Sequence, residues 1–255
     1  MAAPPPGRKP GGGAFTAMLL ELINLSKAFG SVVVAENVNL SVGKGAAIGI
    51  IGPNGAGKSS LFNLITGELA PDAGTIHLDG HDITNYSPEA RCIAGIGRSY
   101  QIPQPFETLT VFENLMVGAV YGNGQTEAQA SRSCGEVLER TGLLAKANRV
   151  AGTLSLLERK RLEMARALAT QPRIILLDEI AGGLTETECD ELVGAIADIH
   201  AAGITIIWIE HVVHALLAAV EHLIVLNFGS LIVEGEPNAV MESRDVQEIY
   251  MGLTD

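Results

Sequence analysis

One run of residues constrains this chain more than any other: Gly52-Pro53-Asn54-Gly55-Ala56-Gly57-Lys58-Ser59. It follows the short apolar run Ala46–Ile51 and leads into a helical stretch, Lys58 to Thr66, which Gly67 ends. Ala46–Ile51 does not alternate, as expected of a strand buried on both faces. A strand, a glycine-rich turn and a helix form the context in which the spacing G-x-x-x-x-G-K-S/T cradles phosphate groups. Glycines let successive backbone N–H groups point inward, in conformations that a Cβ hinders. The following helix adds its N-terminal dipole. Lys58 is then placed to reach the β- and γ-phosphates of a nucleoside triphosphate, and the Ser59 hydroxyl to ligate Mg²⁺. Ser60, next along the helix, completes the candidate set. The competing reading is a chance glycine turn, and the flanking strand and helix argue against it.

Hydrolysis of a nucleoside triphosphate also needs an acidic group on the metal and a group that orients water. Ile174-Ile175-Leu176-Leu177-Asp178-Glu179 supplies both candidates. Four apolar residues predict a buried strand, and ligands bind at the C-terminal ends of such strands in open α/β sheets. Asp178 would hold Mg²⁺, directly or through water, and Glu179 would polarise the attacking water as general base. A further buried strand, Ile204–Ile209, runs into Glu210-His211. His211 at that strand end can sense the γ-phosphate. His77, His81, His200, His214 and His222 read as structural histidines, and no third ligand supports a metal between His211 and His214.

The rest of the chain fits one large α/β domain or two small ones. Its 255 residues are 47% hydrophobic and 18% charged, enough apolar material for a sizeable core. A net charge of −12 excludes non-specific binding to nucleic acid, which requires a basic surface. Cys92, Cys134 and Cys189 form no CxxC pair, so they suggest neither a zinc site nor a disulfide framework and read as reduced core thiols. No apolar run reaches the roughly 18–20 residues that span a bilayer. Residues 1–17, rich in proline and glycine, read as a flexible tail without the apolar centre of a secretory signal. From Leu19 to Phe29, Val32–Val34, Val38–Val42 and Thr75–Leu78 the pattern is that of strands. Val111 to Ala169 is helical, Thr187–His200 is an amphipathic helix, Val212–Val220 is helical, and Leu223–Leu226 and Leu231–Val233 finish a sheet edge. Strands alternating with helices imply a mostly parallel sheet, with the helical middle inserted into it.

With these pieces in order, the chain resembles the ATP-binding subunit of ABC transporters from about Leu19 to Gly252. Gln101, in Arg98-Ser99-Tyr100-Gln101, sits where that family has its Q-loop glutamine, and Arg159 to Leu168 looks like the helix after the family's signature. Phe29, in Lys27-Ala28-Phe29-Gly30, matches the aromatic that stacks on adenine. Ile96 to Gln101, Leu109 to Leu115, Ile209-Glu210-His211 and Asp245 to Gly252 are similar to the subgroup that serves branched-chain amino-acid importers. The resemblance implies a P-loop ATPase core with a mostly parallel sheet, an antiparallel β subdomain and a helical subdomain at about residues 103–170, together making one nucleotide-binding domain over residues 18–255. It implies ATP and Mg²⁺ as ligands, with Gln101 joining Ser59 and Asp178 on the metal and joining Glu179 and His211 in catalysis. It also implies a peripheral position on the cytoplasmic face of the membrane, integral permease subunits, a second ATPase subunit and, indirectly, a substrate-binding protein. Tyr100 to Phe112, with Ile102, Pro103, Pro105 and Phe106, is expected to form part of the surface that docks on the permease.

Two segments depart from the family pattern. The signature, Leu-Ser-Gly-Gly-Gln or Leu-Ser-Tyr-Gly-Glu/Gln, is here Leu154-Ser155-Leu156-Leu157-Glu158. Ser155 and Glu158 have the spacing of a capping box. Leu157 replaces a glycine whose backbone approaches the γ-phosphate, so its side chain is expected to hold that backbone away or to present apolar bulk to charge. After Glu179, Ile180 stands in place of proline, and Gly182 to Glu186 lacks the usual Asp or Asn. Both departures fall on parts that face the partner, which favours a heterodimer with an intact second subunit over a homodimer. They also keep open a nucleotide-gated regulatory subunit with little turnover, and the shared chemistry keeps open an exporter ATPase.

Overall fold

The computed structural model describes residues 17–251; all of the proline- and glycine-rich stretch except Ala17, and Gly252 at the other end, lie outside the described residues. In chain order the elements are β1 (Met18–Phe29), β2 (Val32–Gly43), β3 (Ala47–Ile51), α1 (Lys58–Thr66), β4 (Ala73–Leu78), β5 (His81–Asp82), α2 (Pro88–Ala94) and β6 (Ile96–Ser99). Then come α3 (Val111–Asn123), α4 (Glu127–Arg140), α5 (Leu156–Ala169), β7 (Ile174–Asp178), α6 (Glu186–Ala201), β8 (Thr205–Ile209) and α7 (Val213–Leu217). The series ends with β9 (His222–Asn227), β10 (Ser230–Gly235), α8 (Pro237–Met241) and α9 (Arg244–Met251).

The strands form two sheets. One is antiparallel, in the order β2-β1-β4-β5. The other runs β10-β9-β3-β8-β7-β6, parallel throughout except for β10 at its edge. The apolar strands of this second sheet serve two cores. Ile48 and Ile50 of β3, Ile174 and Leu176 of β7, and Ile207 and Ile209 of β8 pack with α1 and the antiparallel sheet. Their neighbours Ala47, Ile51, Ile175, Leu177, Ile206 and Trp208 pack with α5, α6 and α7 on the opposite face. This division explains why these strands read as unbroken apolar runs. A third cluster, which includes Val111, Leu115, Cys134, Leu138 and Leu162, joins α3, α4 and α5.

β2 is continuous where the sequence pattern breaks it in two. At the break Asn37 adopts a φ of 49° and the pairing with β1 shifts register, so the interruption is a bulge within one strand. The helix after β8 is shorter than its apolar pattern, Val213–Leu217. The three cysteines are free thiols, Cys134 and Cys189 buried and Cys92 half-buried, and burial pushes the Cys134 thiol up to about 11. No helix among the described residues is long and apolar enough to cross a membrane.

The parallel pairing brings several strand ends to one edge. Ile50 and Asp178 both pair with Ile209, and Ser99 pairs with Leu177. The segments that leave β3, β6, β7 and β8 therefore emerge side by side. The loop after β3 is clamped from both sides. A Cβ on Gly52 would lie 2.1 Å from the Leu226 carbonyl oxygen, and one on Gly57, at φ 104°, would lie 2.3 Å from that of Val34. These two glycines are thus required by contacts with β9 and β2 as well as by any ligand. Gly57→Ala is expected to destabilise the nucleotide-free protein by about 2–4 kcal/mol, from backbone strain plus overpacking. Chemical denaturation checks it; a change within about 0.5 kcal/mol, as at an indifferent surface site, would show that the clamp yields.

Candidate active site

Lys58 is the first residue of α1 and is buried, with its ammonium donating to the carbonyl oxygens of Gly52 at 2.7 Å and Pro53 at 3.1 Å. Burial pulls its pKa below the usual lysine value, and the charges of Glu179 and Asp178 oppose that shift. Its ammonium therefore lies in the field of both carboxylates. Ser59 is exposed and Ser60 half-buried, on the first turn of the same helix.

Asp178 ends β7 and is buried. Glu179 follows in the left-handed region at φ 46°, with its N–H donating to Ile209 O at 2.8 Å. A glutamate in this conformation is uncommon and turns the chain sharply at the strand end. Gln101 reaches Glu179 from the segment after β6, Nε2 donating to Oε2 at 2.6 Å. His211 approaches from the end of β8, with Nδ1 3.7 Å from the same Oε2 and 3.3 Å from Oε1 of Glu210. The structure thus brings Lys58, Gln101, Asp178, Glu179 and His211 into one group. Phe29 stands apart at the tip of the β1–β2 hairpin, 54% exposed, with Lys27 Nζ 5.5 Å from its ring centroid.

Three further residues support this group. The buried Glu210 carboxylate accepts from the N–H groups of Ala181 at 2.9 Å, His211 at 2.9 Å and Val212 at 3.3 Å, fixing the turns after β7 and β8 against each other. Lys160, buried on α5, donates to Glu179 O at 3.4 Å, and burial lowers its pKa. Arg98 of β6 donates to Asp178 Oδ2 at 2.9 Å. All three lie in stretches that resemble the family, Lys160 in Arg159 to Leu168, Glu210 in Ile209-Glu210-His211 and Arg98 in Ile96 to Gln101, but nothing local in those stretches marked a role for them.

The signature segment differs from its expectation. Ser155 and Glu158 do form the capping box of α5. Leu157, however, is only 8% exposed and belongs to the core cluster that includes Ile180 and Ala181, so its side chain does not stand out from the surface of this chain. Leu156, 45% exposed, is the residue that presents apolar surface there. Thr185 is the N-cap of α6, accepting from the Glu188 N–H at 3.3 Å. Of the segment after β6, Tyr100, Ile102 and Phe106 are exposed.

A phosphate-type loop after β3, acidic residues after β7 and a histidine after β8, joined to a helical insertion, define an ATP-binding cassette. The family model described as ABC transporter matches residues 35–182, more than half of the chain. This chain belongs to the ABC transporter family and is an ATPase of its ATP-binding cassette type. It is 34% identical over 249 residues to the high-affinity branched-chain amino acid transport ATP-binding protein BraF of Pseudomonas aeruginosa, covering 92% of this chain and 98% of that one. It is 33% identical to the lipopolysaccharide export system ATP-binding protein LptB of Haemophilus influenzae, covering 92% of this chain and 97% of that one. Among solved structures, the ADP conformation of an ATP-binding cassette of an ABC transporter superposes with a TM-score of 0.85 at 34% identity, covering 92% of this chain and 99% of that one.

Proposed function

We propose that this chain is the ATP-hydrolysing subunit that energises an importer for branched-chain amino acids or related amides, acting peripherally at the cytoplasmic face of the membrane. The convergence of Gln101 and His211 on the Glu179 carboxylate, beside Asp178 and in reach of the charge on Lys58, carries the enzymatic reading. Glu179 is the general base, His211 the γ-phosphate sensor, Gly52 to Ser60 the phosphate cradle and Phe29 the adenine platform. Mg²⁺ suits the donor set, which is hard oxygen throughout. Arg98 occupies Oδ2 of Asp178 and leaves Oδ1, while Gln101 uses its amide nitrogen on Glu179 and leaves its amide oxygen. Ser59, Asp178 and Gln101 would hold the ion, which neutralises charge developing on the phosphates.

Similarity to BraF supports the importer, and similarity to LptB supports the exporter as the second reading. Isolating the membrane subunits that co-purify with this chain separates the two. Mg-dependent hydrolysis by the complex, raised by a binding protein loaded with amino acid, is the expected result; a complex that binds ATP without turnover would make this a regulatory subunit. The exposed Leu156 of the altered signature supports a heterodimer in which this chain supplies Lys58, Asp178, Glu179 and His211 to the competent site. The exposed side chains of Tyr100, Ile102 and Phe106 support docking of that segment on the permease.

Phe29→Ala is expected to weaken ATP binding about 5- to 100-fold, the worth of one base–aromatic stack, with little change in melting temperature. Its exposure at the hairpin tip argues against a core role. Calorimetric titration beside a thermal melt decides: unaltered nucleotide affinity with a large stability loss would make it a packing residue.

A further inference from the structure

Arg98 enters the reading above only as the partner of Asp178 Oδ2, yet three parts of the site meet on it. Its side chain is 8% exposed. Nη2 donates to Asp178 Oδ2 at 2.9 Å, and Nη1 donates to Asn63 Oδ1 on α1 at 2.6 Å and lies 3.4 Å from Glu68 Oε1. The guanidinium carbon is 5.7 Å from the centroid of Phe62 and 4.8 Å from that of Tyr100. Tyr100 directly precedes Gln101, and its hydroxyl donates to Glu68 at 2.8 Å. Nε is buried without a hydrogen-bond partner, so the group is held by its Nη fork and by ring faces. Such a planar fork is specific to arginine.

We propose that Arg98 is a positioning residue for the divalent cation: it fixes the Asp178 carboxylate through Oδ2, leaves Oδ1 for the metal, and moderates the pull of Asp178 on a dication with its own fixed charge. The inference rests on Asp178 being a metal ligand. Two consequences have opposite signs. Removing a buried positive charge beside Asp178 strengthens attraction between the carboxylate and a dication. Removing the fork frees the carboxylate to rotate out of its catalytic orientation, a loss that should appear in turnover, where an outer hydrogen-bond partner of a metal ligand is typically worth about 10–100-fold. An arginine that only fills space would not tighten metal binding when replaced.

The test titrates Mn²⁺ into the full chain with ADP, followed by electron paramagnetic resonance, and measures Mg-ATP turnover by the assembled complex. Arg98→Met should bind Mn²⁺ about threefold or more tightly, turn over about 10–100-fold more slowly, and bind ADP normally without metal. Arg98→Lys keeps the charge and loses the fork, so Mn²⁺ affinity should stay at the wild-type level while turnover falls. Unchanged or weaker Mn²⁺ binding by folded Arg98→Met, or normal turnover, overturns the proposal. If Arg98→Met does not fold, Arg98→Lys decides: slowed turnover at unchanged Mn²⁺ affinity supports it, and altered affinity or normal turnover overturns it. Asp178→Asn tests the underlying reading separately. Wild-type Mn²⁺ binding by that variant would remove Asp178 from the metal, and the proposal with it, whatever the Arg98 variants show.

Discussion

Glu179→Gln should slow ATP hydrolysis by about 10²–10⁴-fold, the usual worth of one positioned general base, while Mg-ATP still binds. The substitution keeps the length of the side chain and one acceptor oxygen, so the bond from Gln101 Nε2, 2.6 Å in the native protein, can persist. It removes basicity. The backbone turn at φ 46° is anchored by the bond to Ile209 O at 2.8 Å and by Lys160 on the Glu179 carbonyl at 3.4 Å, neither of which uses the carboxylate. The fold around the site should therefore survive, and the loss should appear in turnover of the assembled complex and not in equilibrium nucleotide affinity. Turnover at the native rate would show that another group takes the proton. The same variant tests the asymmetry inferred from the signature. Made in the partner ATPase alone, the equivalent change should matter less than Glu179→Gln does here, and the reverse pattern would assign the competent site to the other chain's residues.

What the sequence made legible follows the physics of each element. β3, β7 and β8 are buried on both faces and so advertise themselves as apolar runs, and the groups that follow them are motif residues because strand ends meet at one edge. β6 did not show, because Ile96-Gly97-Arg98-Ser99 carries one large aliphatic side chain. Gly97 is small because a Cβ there would come within 3.0 Å of Pro172, and Arg98 serves Asp178. α2 had a signal that went unread: Ser87 caps it, Pro88 opens it and Gly95 closes it in the left-handed region. Leu157 illustrates the opposite failure. Its position in the motif pointed outward, but spacing along a helix start does not say which face meets the core, and its side chain lies in the core cluster that includes Ile180 and Ala181. Glu210 and Lys160 were hidden for a related reason. The bonds that tie them to the site, from Ala181 N–H to Glu210 and from Lys160 to the Glu179 carbonyl, join groups distant in sequence, and no local pattern records them.

Lys58→Ala should raise the dissociation constant for Mg-ATP by about 10²-fold or more, because two charge-assisted hydrogen bonds of roughly 1.5–3 kcal/mol each are lost. The ammonium already donates to Gly52 O and Pro53 O at 2.7 and 3.1 Å, so it is held at the mouth of the loop that would surround the phosphates. Removal also leaves Asp178 and Glu179 without the nearby charge that they share with it. Asp178 keeps its partner Arg98 at 2.9 Å and Glu179 keeps Gln101 at 2.6 Å, so this secondary effect on stability should be small beside the effect on binding. The nucleotide series separates the two. AMP ends before the β-phosphate and should bind the variant as it binds the native protein, whereas ADP and ATP should both lose affinity, ATP more than ADP. Uniform loss across AMP, ADP and ATP would mean a collapsed loop and not a missing charge. Unchanged Mg-ATP affinity would remove Lys58 from the site, and with it the assignment of Gly52 to Ser59 as the phosphate cradle.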